Sequence, residues 1–243
     1  METVTVGQGS ARTLLVHGND LCGAFYRPLA EHLAERGLPT ALVTLPGFHR
    51  VPPLATPSWD GLVELVVQRT PAILIGHSMG GLLALLAAAR RPPSLTHLVL
   101  LEPAVFPTRW LARAAANRYL GSVVRGDRDR WVNWNGATRR VHDEGAYSRA
   151  AIELYLEVRR TSDRATAEAL FTALPELYPL PYDRVAVPTL LLTGAETGWR
   201  ARLMLRSLRR RLRPRHASIP GAAHWMIHEA DAALADHIAE FVQ

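Results

Sequence analysis

Residues 76–80 read Gly-His-Ser-Met-Gly, and a further glycine follows at position 81. A serine flanked by glycines two positions away on either side suits a tight turn from a strand into a helix. Such a turn forces the serine into unfavourable dihedrals, and side chains at the glycine positions would collide. It would expose the Ser78 hydroxyl at a sheet edge, with a helix N-terminus behind it to favour developing negative charge. The chemistry on offer is nucleophilic attack by Ser78 Oγ. The surroundings are those the turn needs: Ala-Ile-Leu-Ile precedes it and Leu-Leu-Ala-Leu-Leu-Ala-Ala-Ala follows. A serine hydroxyl needs a base, and His224 is the candidate. It follows the small residues Gly221-Ala222-Ala223 after the last apolar run, in a loop that leaves an imidazole free to turn. A neutral imidazole accepts a proton near pH 7, because its ordinary pKa lies close by.

The elements that must position these groups alternate along the chain. Strands are expected at Thr13–Val16, Thr40–Thr44, Ala72–Ile75, Leu95–Leu101, Thr189–Thr193 and His216–Ile219. Helical patterns are expected at Arg27–Glu35, after Ser78 through Ala89, and at Asp231–Val242. This rhythm predicts an α/β fold with a mostly parallel sheet of six to eight strands, flanked by helices on both faces. From Ala104 to Asp183 the rhythm stops. That segment holds helical patterns and the aromatics Phe106, Trp110, Tyr119, Trp131, Trp134, Tyr147, Tyr155 and Phe171. A structureless loop of that length is implausible, so 104–183 is expected to form a helical cap inserted within a single domain spanning 1–243. Its place after a strand's carboxyl end would set it above the sheet edge where open α/β sheets bind ligands.

The sequence resembles the α/β-hydrolase family over nearly its whole length. Leu14-Leu15-Val16-His17-Gly18 is similar to the family's strand and His-Gly oxyanion loop, and Leu45-Pro46-Gly47 to its Asp-x-Pro-Gly turn, with Thr44 and Leu45 in place of the acidic start. Gly221-Ala222-Ala223-His224-Trp225 is similar to its terminal G-x-x-H-W, whose histidine is catalytic. The resemblance implies an oxyanion hole made by the backbone N–H groups of Met79 and Asn19. His17 would hold that loop, and His77 would be structural. Asn19 is shared with haloalkane dehalogenases, whose asparagine side chain binds halide. Those enzymes and epoxide hydrolases attack with an aspartate where this chain has Ser78, which argues against both activities.

The resemblance leaves the third member of a triad open. In most relatives an aspartate stands three residues beyond the glycine that ends the strand matching Thr189–Thr193. Here that position is Thr197, which cannot serve. Glu196 lies one residue earlier, and Glu102 ends the strand after the nucleophile helix, where a subset of the family carries its acid. Glu102 is favoured over Glu196. Pro103 is expected to bias it toward an extended backbone.

Composition narrows the remaining classes. The chain has 243 residues, 48% hydrophobic and 21% charged, which argues against disorder. All 28 basic residues are arginine. The densest stretch, Arg200–Arg215, reads as an amphipathic helix with Leu203, Ser207, Leu208 and Leu212 inward, and it lacks the interleaved aromatics of a nucleic-acid site. The apolar stretch from Ala72 to Ala89 is interrupted by Gly-His-Ser-Met-Gly-Gly, so no membrane span is expected. The N-terminal residues lack a secretory signal and Cys22 has no partner cysteine, which makes a cytoplasmic location the expectation. No metal site, dinucleotide motif or P-loop is present in the sequence, so no cofactor is implied. The expected partner is a small-molecule substrate, and nothing in the sequence specifies an oligomeric state. The expected function is hydrolysis of a small to medium, mainly apolar ester through an acyl-serine. The alternatives are a non-catalytic binding protein on the same scaffold, or a perhydrolase, C–C hydrolase or acyltransferase using the same triad.

Overall fold

The computed structural model describes residues 1–124 and 147–243. Among them, seven strands form one sheet: β1 (Glu2–Val6), β2 (Thr13–Val16), β3 (Thr40–Thr44), β4 (Ile73–His77), β5 (His97–Leu101), β6 (Thr189–Gly194) and β7 (Arg215–Ile219). Their order is β1-β3-β2-β4-β5-β6-β7. All neighbours run parallel except β1, which pairs antiparallel with β3 along one edge. Sequence periodicity did not single out β1. Its first four residues are exposed, so little apolar signal marks it.

The inner strands are buried on both faces, as a parallel sheet covered by helices requires. Leu14 and Val16, Leu74, Leu98 and Leu100, and Leu191 face one core. Leu15, Ile73 and Ile75, Val99 and Leu101, and Leu190 and Leu192 face the other. The first core is covered by α2 (Trp59–Arg69) and α3 (Met79–Ala88). The second is covered by α1 (Arg27–Glu35) and the C-terminal helix Asp231–Val242. Helix α3 is apolar on nearly every side because it lies wholly inside.

The chain leaves β2 for β3 on one side, then crosses back so that β4 pairs with β2 on the other. This reversal opens a crevice at the carboxyl ends of β2 and β4, where ligands bind in open α/β sheets. His17-Gly18-Asn19 leaves one strand there and Ser78 leaves the other.

Between β5 and β6 the described residues are helical: α4 (Arg109–Val124), α5 (Arg149–Thr161) and α6 (Arg164–Ala173), followed by two short 3₁₀ turns. Ser148 and Asp163 cap the N-termini of α5 and α6 with their side chains. The insertion is fastened to the sheet domain by hydrogen bonds. Trp59 Nε1–H donates to the Leu170 carbonyl at 2.7 Å, and Asp163 N–H donates to the Gly47 carbonyl at 2.8 Å. Phe106, Tyr119, Tyr147, Tyr155 and Phe171 are buried, whereas Trp110 is 78% exposed. Trp131 and Trp134 lie outside the described residues.

Helix α7 (Trp199–Leu212) carries the arginine-rich stretch. Leu205 and Leu208 are its buried leucines and Leu203 is exposed, so the inward face is rotated from the expected one. The spacing Leu205, Leu208, Leu212 (i, i+3, i+7) is equally helical, and packing selects it. Arg213 ends the helix in the left-handed region. The short helix α8 (Met226–Glu229) and α9 (Asp231–Val242) complete the chain.

Candidate active site

The turn at Ser78 has the strained geometry expected of it, with φ 52° and ψ −116°. Its surroundings over-determine it. The Ser78 N–H donates to the Leu101 carbonyl at 3.0 Å, and the Ser78 carbonyl collects the N–H groups of Gly81, Leu82 and Ala104. A Cβ on Gly80 would strike the carbonyl oxygens of Val16 and His17, and one on Gly76 would strike Gly80. These close backbone approaches are what the glycines permit.

His224 sits in the loop after β7, with its side chain 15% exposed. Its Nε2 lies 3.1 Å from Ser78 Oγ and its Nδ1 lies 2.9 Å from Glu102 Oε2. A carboxylate only accepts, so Nδ1 carries the proton and Nε2 is left to take one from the serine. Glu102 is buried, and its second oxygen accepts the Gly194 N–H at 2.9 Å and the Thr197 hydroxyl. Burial pushes the Glu102 carboxyl up. The hydrogen bonds from His224, Thr197 and Gly194, with the imidazole charge, outweigh that and hold it below the usual glutamate value. Glu196, the competing acid, is exposed.

Two particulars differ from expectation. Glu102 adopts φ 39°, not the extended backbone expected before Pro103. The bend brings its carboxylate back over the ends of β5 and β6, where three donors hold it. Thr197, set aside as unable to serve as the acid, is one of those donors. The pairing of a carboxylate at 102 with a hydroxyl at the usual acid position was the available signal.

The loop after β2 approaches closely, since a Cβ on Gly18 would lie 3.2 Å from Ser78 Cβ. Met79 opens α3, where the first N–H groups of a helix have no intrahelical acceptor. Asn19 follows Gly18, and its Nδ2 donates to Tyr119 Oη of α4 at 3.3 Å, so the insertion touches this loop. His17 is fully buried. Its Nδ1–H donates to the Gly18 carbonyl at 2.7 Å and its Nε2 accepts the Leu45 N–H at 3.0 Å. Burial, opposed by the Gly18 bond, pushes its pKa down to about 4. The imidazole therefore stays neutral and ties the β2 loop to the β3 loop.

Five of the seven non-glycine residues with positive φ among those described follow the carboxyl ends of β2, β3, β4 and β5: Asp20, His49, Arg50, Ser78 and Glu102. Strain of this kind concentrates at functional sites, at a cost of about 1–3 kcal/mol each. Among the described residues no group of three or more His, Cys, Asp or Glu could hold a metal ion, and no helix is long and apolar enough to cross a membrane.

Residues 13–237 match the model of the alpha/beta hydrolase family. The chain belongs to the α/β-hydrolase family. Within it, lipase LipV of Mycobacterium tuberculosis is 38% identical over 103 residues, covering 40% of this chain and 39% of that protein. The match thus spans well under half of LipV. A structure reported with the carboxylesterases of the thaumarchaeon Nitrososphaera gargenis aligns over 99% of this chain and 93% of its own, at TM-score 0.77 and 15% identity. An epoxide hydrolase of Bacillus megaterium aligns over 99% and 96%, at TM-score 0.73 and 15% identity. Likeness at this identity is likeness of fold. As an α/β-hydrolase, the chain is placed among hydrolases of several chemistries, and its own site must choose between them.

Proposed function

We propose that the protein is a carboxylic-ester hydrolase that works through an acyl-Ser78 intermediate. The observation carrying this reading is the unbroken line Glu102 Oε2, His224 Nδ1, His224 Nε2, Ser78 Oγ, with steps of 2.9 and 3.1 Å between the side chains. In the proposed reaction Ser78 Oγ attacks the ester carbonyl while its proton passes to His224 Nε2. Glu102 fixes the tautomer and stabilises the imidazolium that forms. The tetrahedral oxyanion accepts the N–H groups of Met79 and Asn19. His224 then protonates the leaving alcohol, activates water against the acyl-enzyme, and the acid is released.

The buried aromatics Tyr119 and Phe171, stacked with centroids 3.7 Å apart, support a mainly apolar substrate. Tyr119 also meets the Asn19 loop, which brings this apolar wall to the edge of the site. The similarity to a lipase and to a structure reported with carboxylesterases points the same way.

Two measurements test the reading. A fluorophosphonate should label Ser78 rapidly, since only an activated serine reacts so; an unlabelled Ser78 would point to a binding protein on a hydrolase scaffold. A panel of p-nitrophenyl esters should show kcat/KM rising with acyl length until the pocket is full. Thioesters and lactones assayed beside them test the related chemistries. A preference for charged substrates would contradict the proposal.

A further inference from the structure

Each of the three loops invoked above touches one hydrogen-bonded chain that the reaction itself does not use. Gly18 N–H donates to Tyr26 Oη at 2.9 Å. Tyr26 Oη lies 2.8 Å from His77 Nδ1, and His77 Nε2 lies 2.8 Å from the His224 carbonyl oxygen. Tyr26 and His77 have no exposed surface.

The direction of every proton in this chain is fixed. The His224 carbonyl can only accept, so His77 Nε2 carries a hydrogen. Burial, with His224, His228 and His17 nearby, keeps His77 neutral by pulling its pKa well below the ordinary value. A neutral ring with a hydrogen on Nε2 presents a bare lone pair at Nδ1, so the Tyr26 hydroxyl must donate to it. The Tyr26 oxygen then accepts from Gly18. The order is Gly18 N–H to Tyr26, Tyr26 O–H to His77, His77 N–H to His224, with no member able to reverse alone.

The positions of these links matter more than their number. Gly18 precedes Asn19, His77 precedes Ser78, and the last acceptor is the backbone of His224 itself. We propose that Tyr26 and His77 are positioning residues, forming a one-way hydrogen-bond chain that sets the oxyanion loop, the nucleophile and the base at fixed separations. This rests on reading Ser78 and His224 as nucleophile and base. Their hydrogen bonds go to backbone and to each other, and the His77 ring packs on the His224 ring with centroids 4.9 Å apart. The chain works by spacing, and displacement of a catalytic group by about 1 Å can cost about 10²-fold in rate.

The test is Tyr26→Phe, which keeps the ring and removes the hydroxyl that both neighbours need. Fluorophosphonate labelling of wild-type Ser78 is run first, because its failure removes the underlying reading rather than the chain. With labelling in hand, Tyr26→Phe should lower kcat about 10- to 100-fold while KM stays within about threefold. A folded Tyr26→Phe with wild-type kcat, or a loss confined to KM, overturns the proposal. If the variant does not fold, ¹⁵N NMR of His77 in the wild-type protein decides. A neutral ring with its hydrogen on Nε2 is expected at neutral pH; a hydrogen on Nδ1, or a protonated ring, overturns it.

Discussion

In the proposed mechanism Ser78, His224 and Glu102 act as one unit, and such units lose activity together. Ser78→Ala and His224→Ala should each lower kcat by roughly 10⁴- to 10⁶-fold, with the double variant little worse than either. Additive losses in steady-state assays would mean that the two act separately. Glu102→Gln should keep the fold and lower kcat by up to about 10⁴-fold, whereas Glu196→Gln should leave it near wild type. The serine was legible because its turn demands glycines on both sides, and the histidine because small residues precede it. The proposed acid was only half legible. Linear spacing from Gly194 points to Thr197, and nothing in a one-dimensional count reveals that strands β5 and β6 lie side by side. The backbone bend at Glu102 was not legible either. Its φ of 39° runs against the local preference that Pro103 exerts, while three donors hold the carboxylate.

At the scale of elements, the βα rhythm was readable because buried parallel strands are short apolar runs and the helices between them are periodic. The exposed edge strand β1 carries no such run, and the face of α7 was misjudged by less than one turn because several leucine spacings on it are helical. Two elements lend themselves to measurement. Gly80→Ala would drive a methyl group into the carbonyls that end β2, and should destabilise the protein by about 3 kcal/mol in urea denaturation. Asp163 accepts the Thr166 N–H at 2.8 Å as the cap of α6. Asp163→Ala should cost about 1 kcal/mol, since its backbone bond to Gly47 survives the change.

Across the whole molecule, the buried histidines tie stability to acidity. His17 is held neutral with a pKa of about 4, while in the unfolded chain it takes up a proton near 6.5. A depressed value in the folded state means stability that is fully present above the unfolded pKa and is lost as pH falls through the folded one. Between about pH 6.5 and pH 4 His17 alone should therefore withdraw about 3 kcal/mol, with His77 adding in the same direction. Urea midpoints measured across that range check it; a flat profile would contradict the burial of both rings. Glu102, also depressed, adds its loss at lower pH, within and below the ordinary carboxylate range.

The contact between Glu102 and Thr197 sets two neighbouring strand ends within reach of one imidazole. The ends of β5 and β6 offer two addresses for one carboxylate. Thr197→Asp alone would set two carboxylates against each other, so one would hold a proton and the pair would orient the imidazole poorly. Glu102→Ser alone would leave no carboxylate beside His224 Nδ1. The two changes made together should recover much of what each loses, a sign-reversing interaction that double-mutant analysis can measure. On the proposed mechanism, moving the acid from 102 to 197 would therefore pass through a poorly active single variant, whichever change is made first.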